Sequence, residues 1–193
     1  MHQPFIVGQR VYFRCMVESD AEGPYIDWLN DEEVTRFLST IGHFPTTAET
    51  ARQYIHRISH SDRDMFLAIH DAASNEFIGT SHFGPIDWLH RTGTFGIMIG
   101  DKRYWGKGYG TEILFHMTDY GFRRLNLHKI TIGAVSEQIA AIRYMKKLGY
   151  AQEATHQEEF FYNGRYIDTF KFGLIERDFF AGPYGNGWPK KEE

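Results

Sequence analysis

The sequence predicts an α/β (α+β) chain of one domain, built on a central mixed, mostly antiparallel sheet of about seven strands flanked by helices. Three observations carry that expectation. Three strand-like segments follow one another closely between residues 64 and 99. Two periodic helical segments, 110–125 and 136–148, enclose a single alternating segment, Lys129 to Val135. Finally, Asn163-Gly164 stands between two aromatic runs as a tight hairpin signal. At 193 residues the chain fits one domain. That domain is taken as 1–180, followed by a glycine- and proline-rich tail, 181–193.

Val11, Phe13 and Cys15 alternate with polar residues and read as the first strand. From Ala21 to Leu38 the apolar spacing becomes helical, with a break expected near Asn30-Asp31. Thr46 followed by Glu49 reads as a capping box, and Tyr54, Ile55 and Ile58 form the stripe of the helix it opens. The next strands are Asp64 to His70, Phe77 to Phe83 and Thr94 to Ile99, whose short connections favour an antiparallel meander. Ile113, Leu114, Met117, Gly121 and Leu125 share one face of the long helix. The helix beginning near Ser136 ends at Leu148 with Gly149 as its C-cap. Phe160 to Tyr162 and Arg165 to Ile167 flank the hairpin.

Composition excludes several functions. Cys15 is the only cysteine, so no internal disulfide can form, and a cysteine-containing zinc site has no ligands. The N-terminus lacks a signal-peptide pattern, and no apolar run approaches the roughly 18 residues of a membrane span. A cytoplasmic protein without membrane partners is therefore expected. The net charge is −4, and Lys190-Lys191 is offset by Glu192-Glu193, so nucleic acid is not expected as a ligand.

The segment Arg103-Tyr104-Trp105-Gly106-Lys107-Gly108-Tyr109-Gly110-Thr111 lies between a strand and a helix. Glycine there lets an anion approach the backbone, and the helix start offers free N–H groups with a positive dipole end. A phosphate-binding P-loop needs four residues between its first glycine and Gly-Lys, then Ser or Thr. Here five residues separate Gly100 from Gly106, and Gly108 follows the lysine. A dinucleotide-binding Rossmann unit expects the motif on the first strand of a parallel sheet and an acidic residue closing the next. Neither condition holds. A ligand-free glycine turn is the plainer reading, but three alternating glycines with Arg103 and Lys107 weigh against it.

Arg103-x-x-Gly106-x-Gly108 resembles the Gln/Arg-x-x-Gly-x-Gly/Ala signature of GNAT acetyltransferases, and Ala141-Ile142-Arg143 to Leu148-Gly149-Tyr150 resembles that family's second block. The likeness runs from about Val11 to Asp178 and is nearest to ribosomal-protein alanine, spermidine and amino-sugar acetyltransferases. It implies a sheet splayed between its fourth and fifth strands, with acetyl-CoA as co-substrate and no metal. The pantetheine arm would pair with the backbone of Ile97, Met98 and Ile99. The amides of Arg103, Tyr104, Trp105, Gly106, Lys107, Gly108, Tyr109, Gly110 and Thr111 would take the pyrophosphate. The acceptor amine would attack the thioester directly.

Two departures from the family pattern bear on catalysis. Gln138 stands where the family carries Asn, and Met145 where it carries the Tyr that protonates the leaving sulfur. Tyr144 is adjacent but about 100° round the helix; it is the candidate acid, with water as the alternative. Thr94 replaces a frequent Glu, which leaves His82 as the candidate base, against the plainer reading of a packed strand histidine. Asp87, His90 and His43 are candidate acceptor contacts in loops. His56 and His60 share the i,i+4 spacing of a metal pair, but solvent exposure suits them better. The acids Asp27, Asp31, Glu32 and Glu33 would suit a cationic acceptor or simply face water. The expected partner is a small-molecule amine, such as an amino sugar or polyamine, in preference to a peptide N-terminus. A homodimer is compatible with the sequence. The alternative is a non-catalytic acyl-CoA-binding regulatory domain.

Overall fold

A computed structural model describes residues 3–38 and 44–189; His43 lies outside them. Eight strands and six helices are present among the described residues: β1 (Ile6–Val7), β2 (Val11–Cys15), α1 (Pro24–Leu29), α2 (Glu32–Thr35), α3 (Ala48–Ser59), β3 (Met65–Asp71), β4 (Phe77–Phe83), β5 (Thr92–Ile99), α4 (Tyr109–Arg123), β6 (Lys129–Val135), α5 (Ile139–Leu148), β7 (Ala151–Tyr162), β8 (Arg165–Ile175) and α6 (Glu176–Ala181). Strand neighbours follow the order β1-β2-β3-β4-β5-β6-β8-β7 in an open, mostly antiparallel sheet, with β5 and β6 parallel. No helix among the described residues is long and apolar enough to cross a membrane.

Two compact units interleave along the chain, one from Met1–Pro85 and Gly96–Tyr109, the other from Ile86–Phe95 and Gly110–Glu193. In the first, β2 to β4 form an antiparallel meander, with Phe13 opposite Ile69 and Phe66 opposite His82. Ala68 of β3 and Met98 of β5 are buried in one cluster with Tyr25, Trp28 and Leu29 of α1 and Ala51 and Ile55 of α3. The break between α1 and α2 falls where Asp31 caps α2, accepting from the Glu33 and Val34 amides at 2.9 and 3.3 Å. The capping box of α3 lies one residue later than expected. Thr47 accepts from the Thr50 amide, and the Thr50 hydroxyl accepts from the Thr47 amide at 3.0 Å. Thr46 instead bonds Asn30.

In the second unit, β5 runs parallel to β6 over Thr92–Thr94, facing Lys129–Thr131, and the Thr94 hydroxyl donates to the Thr131 carbonyl at 2.9 Å. β8 pairs antiparallel with both β6 and β7. Asn163 and Gly164 take the left-handed φ values, +48° and +78°, of the expected tight hairpin. Both of its strands are much longer than the three-residue segments expected, and β7 carries register shifts between Gln152 and Ala154 and between His156 and Phe160. The start of the tail packs. Tyr184 is buried and stacks on Trp188 with centroids 5.7 Å apart, Phe115 of α4 meets Trp188 at 5.2 Å, and Arg123 donates to the Gly185 carbonyl.

Candidate active site

The glycine-rich segment begins with a tight turn governed by Asp101. Its carboxylate caps the turn, accepting from the Arg103 amide at 2.9 Å, and also holds the Arg103 guanidinium at 2.6 Å. The Tyr104 and Trp105 amides donate within the same turn, to the carbonyls of Asp101 and Lys102, both at 3.1 Å. Glu76 completes the ring, accepting from Arg103 at 2.9 Å and from the Tyr104 hydroxyl at 2.6 Å. The Arg103 hydrogen bond lowers the Asp101 pKa, outweighing a partial burial that works the other way. The guanidinium is therefore committed to two carboxylates and braces the turn. The Trp105 indole N–H donates to the Ile99 carbonyl at 2.7 Å, which engages that end of β5.

Beyond the turn the backbone opens. Gly106 and Gly108 adopt φ of +69° and +81°, a region a side chain reaches only with strain. No atom stands where a Cβ on Gly106 would point. Chain turned in this way leads into the 15-residue α4, whose first N–H groups have no intrahelical acceptor. Arg10, 97 residues away from Lys107, donates to its carbonyl at 2.9 Å, and its guanidinium lies 4.6 Å over the Tyr109 ring. Tyr109 in turn donates to Asp71 at 2.6 Å. Burial, reinforced by that carboxylate, pushes the Tyr109 pKa up to about 12, so it stays neutral. The result is a braced loop offering amides and a helix dipole to an anion.

In the second unit, Gly110 in the first turn of α4 lies against the Tyr144 ring, whose Cε1 would lie 3.2 Å from a Cβ added at Gly110. Tyr144 thus faces the end of the glycine-rich segment, and burial pushes its pKa up to about 12. Among the described residues its hydroxyl has no hydrogen-bond partner. Met145, about 100° round the helix, is buried, as is Leu148 one turn on. Gln138 occupies the N-cap position of α5, where its side-chain oxygen accepts from the Val135 amide at 3.1 Å.

In the first unit, His82 of β4 bridges two groups. Its Nε2 lies 2.9 Å from Asp64 Oδ1 and its Nδ1 3.3 Å from the Tyr54 hydroxyl. The acidic stretch is partly committed: Lys102 pairs with both Asp31 and Glu33 at 2.7 Å, while Asp27 and Glu32 remain exposed. The Lys102 hydrogen bond is the chief cause of the lowered Asp31 pKa. His56 bonds Glu18 at 2.7 Å on the surface, and no group of three metal-ligating side chains occurs among the described residues. His90 donates its amide to Asp87 at 2.8 Å within their loop, in the second unit.

Sequence reasoning missed Arg10, Tyr54 and Asp64. Only the contiguous Asp101-x-Arg103 cap carried a local signal.

Residues 10–151 match the family described as the acetyltransferase (GNAT) domain. The chain belongs to the GNAT acetyltransferase family. An N-acetyltransferase of Bacillus licheniformis, p20, is 30% identical over 174 residues, covering 89% of this chain and 96% of the relative. The spermidine N(1)-acetyltransferase of Vibrio cholerae is 32% identical over 117 residues, 61% of this chain and 66% of that protein. Among solved structures, the Vibrio cholerae spermidine N-acetyltransferase in complex with CoA and spermine superposes with a TM-score of 0.81 at 23% identity, covering 89% of this chain and 99% of the other. That likeness is one of fold. With relatives that are N-acetyltransferases across most of its length, this GNAT protein is an acyltransferase of the same kind.

Proposed function

We propose that this GNAT protein moves the acetyl group of acetyl-CoA to a primary amine of a small cationic metabolite by direct attack, with a polyamine favoured. The observation that carries the co-substrate is the braced left-handed backbone at Gly106 and Gly108 running into α4. In this reading the amides from Gly106 to Thr111 hold the pyrophosphate. Arg103 shapes the turn from behind, since its own amide and guanidinium are engaged by Asp101. The backbone of Ile97 and Met98 pairs with the pantetheine arm, and the Ile99 carbonyl is reserved for Trp105. Gln138 and Met145 then shape the cofactor side indirectly, one as the cap of α5 and the other as its core anchor.

His82 serves as the base and Tyr144 as the acid for the departing thiolate. A neutral tyrosine whose hydroxyl has no hydrogen-bond partner among the described residues suits proton donation. The relatives named as spermidine acetyltransferases, and the CoA and spermine bound in the Vibrio cholerae structure, favour a polyamine over a peptide N-terminus. Exposed Asp27 and Glu32 add negative charge on α1 and α2.

Calorimetric titration with acetyl-CoA, followed by a thiol-release assay over polyamines, amino sugars and a peptide N-terminus, tests the reading. Binding with thiol release led by spermidine or spermine is expected. Absence of acetyl-CoA binding overturns the assignment of the glycine-rich segment. Release led by the peptide overturns the metabolite acceptor.

A further inference from the structure

The contacts of His82 determine which of its nitrogens holds the proton. Asp64 accepts a hydrogen bond from the Ser61 hydroxyl at 2.6 Å through one oxygen and meets His82 Nε2 at 2.9 Å through the other. Burial alone would raise the Asp64 pKa, but the Ser61 and His82 hydrogen bonds outweigh it and lower the value, so the group is a carboxylate and only accepts. Nε2 therefore carries the hydrogen. In the neutral ring Nδ1 then keeps its lone pair toward the Tyr54 O–H, 3.3 Å away. Burial is the main cause of a raised Tyr54 pKa, so the phenol keeps its proton.

The three groups are held rather than loosely placed. A Cβ on Gly84 would come within 2.8 Å of Asp64 Cγ, so glycine there makes room for the carboxylate. Phe66 packs edge-on against His82 at 5.9 Å and Tyr54 at 5.5 Å. Among the described residues, the charged and titratable groups around them include Arg57 of α3, over the Tyr54 ring at 5.1 Å, and Tyr25 of α1. Ser81, the residue before His82, donates its hydroxyl to the Gly96 carbonyl at 3.0 Å, and the space on the Cβ side of exposed Gly96 is open. An ordered Tyr-His-Asp chain thus links α3, β4 and the residue before β3, with His82 on the strand next to β5.

We propose that Tyr54, His82 and Asp64 form a proton relay that deprotonates the acceptor amine, with Tyr54 receiving the proton and Asp64 positioning the imidazole. The inference rests on the acetyl-transfer reading. As the amine nitrogen bonds to the thioester carbon, the C–S bond breaks and the sulfur leaves with the electron pair. The amine proton passes to Tyr54 Oη while the phenol's own proton passes to His82 Nδ1. The resulting imidazolium is held through its Nε2–H by the Asp64 carboxylate. Release of the extra proton to water restores the relay, and the thiolate takes its proton from a separate donor.

The test combines pH profiles with nitrogen spectroscopy on the full chain. Nitrogen-15 spectra of the wild-type His82 ring are expected to show the Nε2–H tautomer; an Nδ1–H tautomer overturns the relay whether or not any variant folds. Asp64→Asn should lower kcat/KM and alter its pH profile with the acetyl-CoA Kd unchanged, because it removes the carboxylate that holds His82 Nε2 at 2.9 Å. Tyr54→Phe should lower kcat on the order of 100-fold with the acetyl-CoA Kd unchanged. Unshifted profiles and unchanged kcat in folded variants would mean that the three groups only tie α3 to β4, which also overturns the proposal. A wild-type protein that binds acetyl-CoA yet releases no thiol with any amine fails the broader reading instead, so the two failures are distinguishable.

Discussion

Replacing Gly79 by alanine should destabilise the first unit far more than replacing Gly96, although both lie on adjacent strands. A Cβ at position 79 would stand 3.0 Å from Ile99 Cα and 3.2 Å from the Met98 carbonyl carbon, and closer still to the carbonyl oxygen. All of these are backbone atoms of β5, so no rotamer change relieves the overlap; the strand itself must shift. Overpacking of this kind costs about 1–3 kcal/mol, against which the lower unfolded-state entropy of alanine returns only about 0.4–1 kcal/mol. A backbone obstacle belongs at the upper end, so a net loss of about 2 kcal/mol is expected. For a chain of this length that corresponds to a fall in Tm of about 4–8 °C. At Gly96 nothing lies within 4 Å of the added methyl, so Gly96→Ala should leave Tm unchanged or raise it slightly. Thermal unfolding followed by circular dichroism measures both. A Gly79→Ala variant as stable as Gly96→Ala would refute the argument, since it would mean that β5 yields to a methyl group at no cost.

Three further outcomes follow from the site. Arg10→Ala removes the brace on Lys107 and the contact with Tyr109; being exposed, these are worth about 1 kcal/mol. The acetyl-CoA Kd should rise about fivefold by calorimetry, and an unchanged value would show that the loop holds its shape unaided. Tyr144→Phe should keep Tm within a degree while kcat falls on the order of 100-fold, whereas equal kcat would assign protonation of the thiolate to water. Asp64 has a folded-state pKa below its ordinary value, so its ionised form favours the native state. Its contribution is full above about pH 4 and is lost as pH falls through the folded pKa. Thermal scans from pH 6 to pH 3 should therefore show a steeper loss for the native protein than for Asp64→Asn, and parallel curves would contradict the sign.

Much of the fold was legible because it is written in local periodicity. β6 matches its expected bounds since Lys129 to Val135 alternates against one buried face. The capping box slipped by one because Thr46 and Thr47 are equally able to cap, and only the Asn30 contact decides between them. β7 was mostly missed because its first nine residues are exposed on nearly every position, which erases the period-two pattern. The site divides in the same way. Left-handed backbone demands glycine, so Gly106 and Gly108 were visible as sequence. Arg10 and Asp64 were not, since their partners lie far along the chain and no spacing rule connects them. Tyr144 needed the rotation of α5, which follows from Met145 and Leu148 being buried.

The register shifts along β7 bear on how the chain behaves at high concentration. β7 ends the strand order, and a long terminal strand offers a row of backbone groups to any other strand that approaches. Two interruptions within twelve residues, with Glu158 in a left-handed conformation, break the even spacing that an incoming strand would need to match. Glu153, Glu158 and Glu159 add like charges along that border. The irregular pairing of this border strand therefore works against sheet-to-sheet aggregation.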